Sequence, residues 1–344
     1  MMKGKRNYLL GLFIIVSHLL LAQSDELETI LDRGKVEFER GNYEEALTWF
    51  KQAYKLDRGS NKVCYELALT HLSLGNDEDV AVYSGKIIKR GGEFQEDAFL
   101  LNGSAWENLG RAERALKIYK EGLEHFPSSY LLHYNLALAL FNEKEYDEAQ
   151  EYAINAIELY PAHSSSHLLL AYIMYDKGER IQTMLPLYYF LLIEQNSNRS
   201  VGAYDLLHAL WDQGVRKKGQ REIQLLNAGY EHSEFGEAEL AVSLIKSAEL
   251  ANDSNKVNSL YNTRLIRFAE NNSAFFKILS ESSEGKYSFW WEFYVGFFEK
   301  IERSHFTESF SYFISSCKYN DDVLLWLSDN HQDFQKFTKW MEAQ

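Results

Sequence analysis

The chain has 344 residues, 46% hydrophobic and 15% aromatic, enough to bury substantial cores and to form two domains or one extended array. Three of its 36 basic groups fall in the first 22 residues, where there is no acid, so the remainder sets 33 basic against 50 acidic groups. Such a surface repels phosphate backbones, which excludes nucleic acid as a partner, and the presence of only three prolines favours long helices.

Lys3, Lys5 and Arg6 open the chain, Leu9 to Leu21 form an apolar stretch, and Ala22 precedes Gln23 as the expected cleavage residue. This is the pattern of a secretory signal peptide over residues 1–22. The stretch covers about 13 residues where a spanning helix needs roughly 20, so the mature chain is expected to hold no integral membrane span. Leu20 is larger than the small residue preferred two places before the cut, which leaves the site of cleavage open. No cysteine follows the stretch to take a lipid. The expected product is a periplasmic or secreted protein and not a lipoprotein. Cys64 and Cys317 stand far apart in apolar or helical contexts and are expected as two buried thiols.

The repeat comes next. Small residues recur at Gly34, Ala68, Gly103, Ala137 and Ala171, and a second series in the same phase runs Gly41, Gly75, Gly110, Lys144, Gly178. Helix starts with apolar spacing follow, as in Tyr43, Ala46, Phe50, Ala53 and in Tyr146, Ala149, Ala153, Ala156. Each unit therefore reads as a first helix whose small residue lets a second helix approach, a left-handed turn, and a second helix packing an aromatic and alanine stripe. Pro127 and Pro161 end two of the second helices. One pair cannot bury its own apolar face, so neighbours must stack.

These residues resemble the tetratricopeptide repeat (TPR) family over residues 27–197, in five units at about 27–60, 61–95, 96–129, 130–163 and 164–197. The best match runs from Leu136 and Ala137 through Tyr146, Asp147, Glu148 and Ala149 to Ala156 and Pro161. The second unit departs with Val80 and Ser84, and the fifth with Thr183 and an in-helix Pro186, which suggests a bent second helix. The resemblance implies an all-α fold, a right-handed TPR superhelix of about five helix pairs followed by a C-terminal helical domain. It also implies protein or peptide binding on the concave face of the first helices.

Counting from the repeat phase, that face presents Leu31, Tyr65, Leu100, Tyr134 and Leu168, then Leu69, Leu138 and Tyr172, then Phe38, Leu72, Phe141 and Tyr175. Asn108, Asn142 and Asp176 lie beside them as candidates to bond a bound backbone or cation. The expected groove is Leu100, Tyr134, Leu138, Phe141, Asn142, Leu168, Tyr172, Tyr175 and Asp176. Several of these aromatics fit equally well as packing within the array or against the C-terminal region. Some family members hold a partner's terminal carboxylate with groove lysines and asparagines. At the matching places this chain offers Leu, Tyr and acids, so an apolar partner segment is expected instead.

Beyond Gln195 the phase is lost. Residues 198–222 read as a capping helix and a solvated basic turn, with Arg216, Lys217, Lys218 and Arg221, and residues 223–344 read as an aromatic-rich helical domain. Helices are expected at about Gly236 to Ala251, Asn255 to Glu270, Ser273 to Ser282, His305 to Cys317, Asp321 to Asp329 and Asp333 to Glu342. The run Phe289 to Phe298 is apolar nearly all round a helix and is expected in a core.

His163 and His167 have a spacing that can ligate a metal on one helix face, but His133 and His167 share one recurring packing position with Ile30, Cys64 and Phe99. No metalloprotease, nucleophile-elbow, phosphate-loop or dinucleotide motif occurs. The sequence thus points to no catalytic or metal site and no cofactor. It favours a non-catalytic interaction scaffold or adaptor of the bacterial cell envelope. Two alternatives stay open: a C-terminal recognition or regulatory module held out by the repeats, with the aromatic run partly exposed, and an enzyme with convergent polar residues in a C-terminal pocket. The oligomeric state stays open too.

Overall fold

The computed structural model describes residues 25–218, 222–225, 234–251 and 261–343, with only the backbone described for 217–218 and 222–225. The expected leader, Arg221 and the first part of the helix expected from Asn255 lie outside the described residues. Five helix pairs run in order: α1 (residues 25–39) with α2 (Tyr43–Leu56), α3 (Asn61–Ser73) with α4 (Asp77–Arg90), α5 (Gln95–Asn108) with α6 (Ala112–His125), α7 (Tyr130–Asn142) with α8 (Tyr146–Leu159), and α9 (Ser164–Asp176) with α10 (Arg180–Ile193). After them come α11 (Asn198–Asp212), strands β1 (Val215–Lys218) and β2 (Glu222–Leu225), α12 (Gly236–Ala251), α13 (Thr263–Glu281), a π-helical segment (Trp290–Val295), α14 (Gly296–Arg303) and α15 (Thr307–Met341). Among the described residues the fold is all-α apart from that one strand pair. The described residues form two compact units, one ending at Glu145 and one beginning at Tyr146, so α8 to α10 share a unit with the C-terminal helices.

The turns within pairs follow one geometry. Gly41, Gly75, Gly110, Lys144 and Gly178 have φ of 80°, 71°, 68°, 64° and 80°. In the first, the Gly41 amide donates to Phe38 O and the next amide, Asn42, donates to Glu37 O, both at 2.9 Å. Lys144 and Glu145 repeat the pattern on Phe141 and Leu140, both at 3.0 Å. This is the Schellman motif, which satisfies carbonyls left over at a helix end. Lys144 adopts it without glycine's freedom, at a cost of roughly 1–2 kcal/mol. The one 35-residue interval of the series contains Gly91, Gly92 and Phe94, all with positive φ.

The small-residue series is where paired helices meet. A Cβ on Gly34 would enter the Phe50 ring, and one on Gly103 would enter the Tyr119 ring. Sixteen residues beyond Ala68 and Ala137 stand Ser84 and Ala153, both buried. At both glycines of the series the second helix thus brings an aromatic ring onto the first. Tyr119 Oη donates to Glu107 Oε2 at 2.7 Å, so its buried ring keeps a satisfied hydroxyl.

In the second unit, α10 is buried nearly all round, from Arg180 to Leu192, whereas α2 buries only the stripe Ala46, Leu47, Phe50, Ala53. Pro186 is accommodated within a continuous α10. Two polar links bind it to the helices that follow, and a third runs from α9. Arg180, itself buried, donates from Nε to Leu210 O at 2.8 Å and from Nη1 to Ser243 Oγ at 3.1 Å, and stands 3.5 Å from Glu239 Oε2. Burial pushes the Glu239 carboxyl up, and Arg180 opposes that shift. Trp211 Nε1 donates to Tyr188 Oη (2.9 Å), Tyr188 to Asn272 Oδ1 (2.5 Å), Asn272 Nδ2 to Ser311 Oγ (2.9 Å), and Ser311 to Thr307 O (2.7 Å). Every donor in that relay has an acceptor, the condition under which a buried polar chain rigidifies a core. The third link is His167 on α9. Its Nε2 lies 2.8 Å from Pro161 O, which can only accept, so Nε2 carries the proton and Nδ1 accepts from Tyr294 Oη at 2.7 Å.

Three elements differ from the sequence reading. The basic segment is an antiparallel strand pair, with Val215 opposite Leu225 and Lys218 opposite Glu222, rather than a turn. Residues 263–281 are one helix, because Asn272, read as part of a break, is buried and bonded to Tyr188 and Ser311. The aromatic run begins as a π-helical segment, burying Trp290, Trp291, Tyr294 and Val295. The last three expected helices follow one another within α15, parted by non-helical backbone at Tyr319 and Asn330, close to the expected breaks.

Two predictions follow from this packing. Gly103→Ala is expected to lower stability by about 1–3 kcal/mol in urea unfolding, because Tyr119 must leave its rotamer or the helices must separate. An undisturbed midpoint would contradict the close approach. Burial holds the His167 imidazole down to about 3, so it stays neutral in the fold while the unfolded chain takes up a proton below about pH 6.5. The stability it contributes is complete above that pH and is lost as pH falls from about 6.5 towards about 3, at about 1.4 kcal/mol per pH unit. His167→Gln should remove one proton from the pH dependence of unfolding, read as a shallower slope between pH 6 and 4.

Candidate protein-binding surface

The inner face of the first helices is built by their periodicity: residues three and four apart line one side, and the small residue of the turn-facing series turns the opposite side to the second helix. In the first unit, Leu100, Tyr134, Leu138 and Phe141 are half-buried and Asn142 is exposed. Tyr65 is half-buried and stacks on Phe94 with centroids 4.5 Å apart, and Leu72 is exposed. Side chains so placed keep part of their apolar surface in water, which is what a docking face offers.

In the second unit, Tyr172 is 38% and Tyr175 51% exposed, and Asp176 is exposed beside them. Leu168 is a correction. It is only 5% exposed, because α9 buries a continuous run from Ser166 to Ala171, and it has no surface to offer a partner. Leu31, at the same place in the first repeat, is also buried. The polar candidates are partly engaged within the protein: Asn108 Nδ2 donates to Asp77 Oδ1 at 2.9 Å, and Asp176 Oδ2 accepts from Tyr146 Oη at 3.2 Å.

Charge on the face is arranged in neighbouring pairs. Lys62 Nζ lies 2.8 Å from Glu28, 34 residues earlier, and Lys35 Nζ lies 3.3 Å from Glu66. Burial, with Glu96 nearby, raises the Asp97 carboxyl, and burial with Asp97 and Glu66 raises the Tyr65 hydroxyl. Both of these lysines are thus committed to acids.

The remaining sequence candidates have structural duties. His163 Nδ1 is 2.8 Å from Ser166 Oγ, and both His167 nitrogens are bonded as described above. Among the described residues no group of three or more His, Cys, Asp or Glu is arranged to hold a metal ion, and no helix is long and apolar enough to cross a membrane. A cleft of about 350 Å³ in the second unit brings together Glu270, Ser273, Glu302, His305, Thr307 and Glu308. Glu302 there accepts from Ser273 and Thr307, and Glu308 Oε1 accepts from Trp326 Nε1 at 3.1 Å. These carboxylates join α13, α14 and α15. Sequence reasoning did not find this cleft, since its residues come from three helices with no spacing between them.

Two tetratricopeptide-repeat family models match the chain, at residues 31–79 and 109–171. No curated protein matches it. Among solved structures it is similar to MamA from Desulfovibrio magneticus RS-1 (18% identity, 49% of this chain and 95% of that one, TM-score 0.45). It is also similar to YrrB, described as a TPR protein with an unusual peptide-binding site (18% identity, 51% and 90%, TM-score 0.42). A third similar structure is Pseudomonas aeruginosa pilF (17% identity, 56% and 91%, TM-score 0.46). The matched segments 31–79 and 109–171 are thus tetratricopeptide repeats, and the left-handed turns at the same phase support that family reading for the array they belong to.

Proposed function

We propose that the chain is a non-catalytic interaction scaffold or adaptor of the bacterial cell envelope, exported by residues 1–22, that docks an apolar segment of a partner protein on the inner face of its first helices. The observation that carries this reading is the exposure of large aromatic side chains there, Tyr172 and Tyr175 above all. Exposed aromatic residues on a rigid scaffold are the usual anchors of protein interfaces. The acidic balance of the chain and the pairing of its inner-face lysines favour a partner segment that is apolar and not acidic.

The reading in which the C-terminal helices are the working part expects a partly exposed aromatic run. Trp290, Trp291, Tyr294 and Phe298 are buried, while Phe289, Phe293 and Phe297 are half-buried, so the run serves first as core. The enzyme reading expects convergent polar groups, and the cleft between α13 and α15 supplies some, but its Glu302 and Glu308 are spent on holding helices together.

The test is affinity capture from envelope extracts with residues 23–344, beside the triple variant Tyr134→Ala, Tyr172→Ala, Tyr175→Ala. The folded variant should lose a specific partner by about tenfold or more. Equal capture by both chains would move the docking surface elsewhere. Sequencing the N-terminus of the exported protein should give Gln23 or a close neighbour, and an uncleaved Met1 in the cytoplasm would contradict the envelope setting.

A further inference from the structure

His71, near the end of α3, occupies a place that recurs as Trp106, Leu140 and Met174 in the repeats that follow. Leu140 and Met174 fill it as buried apolar side chains. His71 is enclosed to the same degree, with 3% of its surface exposed. It puts a titratable ring where the repeat otherwise keeps a hydrophobe.

The slot does not suit that ring. Asn76 Nδ2 and Asp79 Oδ2 each stand 3.5 Å from Nδ1, at the limit of a hydrogen bond, and Nε2 is buried with no partner among the described residues. The ring lies flat against Tyr83 of α4, with centroids 5.6 Å apart and planes 15° apart. A buried nitrogen left unbonded costs stability that leucine or methionine would keep. Chains break a packing rule of this kind where the residue has a second use.

Protonation makes the misfit worse. Whichever nitrogen carries the hydrogen in the neutral ring, the imidazolium carries one on both, so Nε2 becomes a charged donor facing no acceptor. The charged groups facing the ring from its neighbours are divided. Asp79 of α4 and Glu44 of α2 favour the cation, and Lys51 of α2 opposes it. Lys86 of α4 already holds a cation 4.5 Å from the Tyr83 centroid. Burial outweighs the acids and keeps the imidazole below its ordinary range. The His71 backbone meanwhile carries the turn into α4, since the Asn76 and Leu74 amides donate to its carbonyl at 2.9 and 3.2 Å.

We propose that His71 makes the joint of the first and second repeats acid-sensitive: on taking up a proton its ring leaves the slot beside Tyr83, and the turn between α3 and α4 loosens. The closed joint keeps the ring neutral, while the open joint returns it to its ordinary value of 6.5. The joint is therefore fully stable above about pH 6.5 and weakens as pH falls below it, its opening equilibrium rising by up to about tenfold per pH unit. Helix α3 also carries Tyr65 and Leu72 of the inner face, so acid would act on docking there. That consequence rests on the docking reading, and the joint itself does not.

The test is hydrogen exchange by mass spectrometry on the mature chain, residues 23–344, with intrinsic rates corrected for pH. Beside it stands His71→Met, which places in the slot the residue that the fifth repeat has there. Between about pH 6.5 and about pH 5, protection of peptides covering residues 70–83 should fall by at least about fivefold in the native chain and stay level in the variant. Peptides of α7 should behave alike in the two chains. Nuclear magnetic resonance of the native chain, with the His71 ring identified by its contacts to Tyr83, should show that ring titrating below its ordinary range. Equal losses in the two chains, no loss in either, or a ring that titrates at or above the ordinary value would each overturn the proposal. Because the readout is exchange and not capture, its failure leaves the docking reading untouched.

Discussion

An aromatic ring laid on a glycine sets the spacing of this array. Phe50 over Gly34 and Tyr119 over Gly103 bring paired helices to a separation that no larger residue permits. Because the small residue fixes which side of the first helix turns to the second, it also fixes which side is left for a partner. The aromatic character of that remaining side is a consequence of the same phase.

Where the array ends, the chain uses a different device. The second helices of earlier repeats bury a stripe, but α10 is buried all round and tied through Arg180, Tyr188 and, from α9, His167 to helices up to 130 residues away in sequence. A buried arginine beside a buried glutamate gains little net stability over an apolar pair, yet loss of either partner is costly, so the link specifies one arrangement of α10, α11 and α12. The Trp211 to Ser311 relay has the same character. Together these contacts close the last apolar face of the repeats, which would otherwise meet water.

The repeats were legible because their constraints are local and recur. Two series in one phase located five turns, including Lys144, whose left-handed backbone no residue preference would announce. Tyr134 and Phe141, chosen by counting alone, are half-buried, and Tyr172 and Tyr175 are exposed. What failed depends on contacts distant in sequence. Leu168 looked like its equivalents in other repeats, but α9 is enclosed on more sides than the other first helices. Asn271 and Asn272 read as a break because polar clusters usually mark loops, and only the presence of Tyr188 and Ser311 makes a buried asparagine tenable mid-helix. The strand pair lay in a segment whose alternation was too short to separate from a charged turn.

The claim on which the functional account stands is that the inner face of the first helices, and not the outer face of the second, meets the partner. A photo-crosslinking amino acid placed at Tyr134, and in a separate chain at the exposed Lys117 on α6, tests it in intact cells. The account predicts a discrete crosslinked protein from Tyr134 and none from Lys117. Crosslinks from Lys117 alone would contradict it and place the working surface on the second helices.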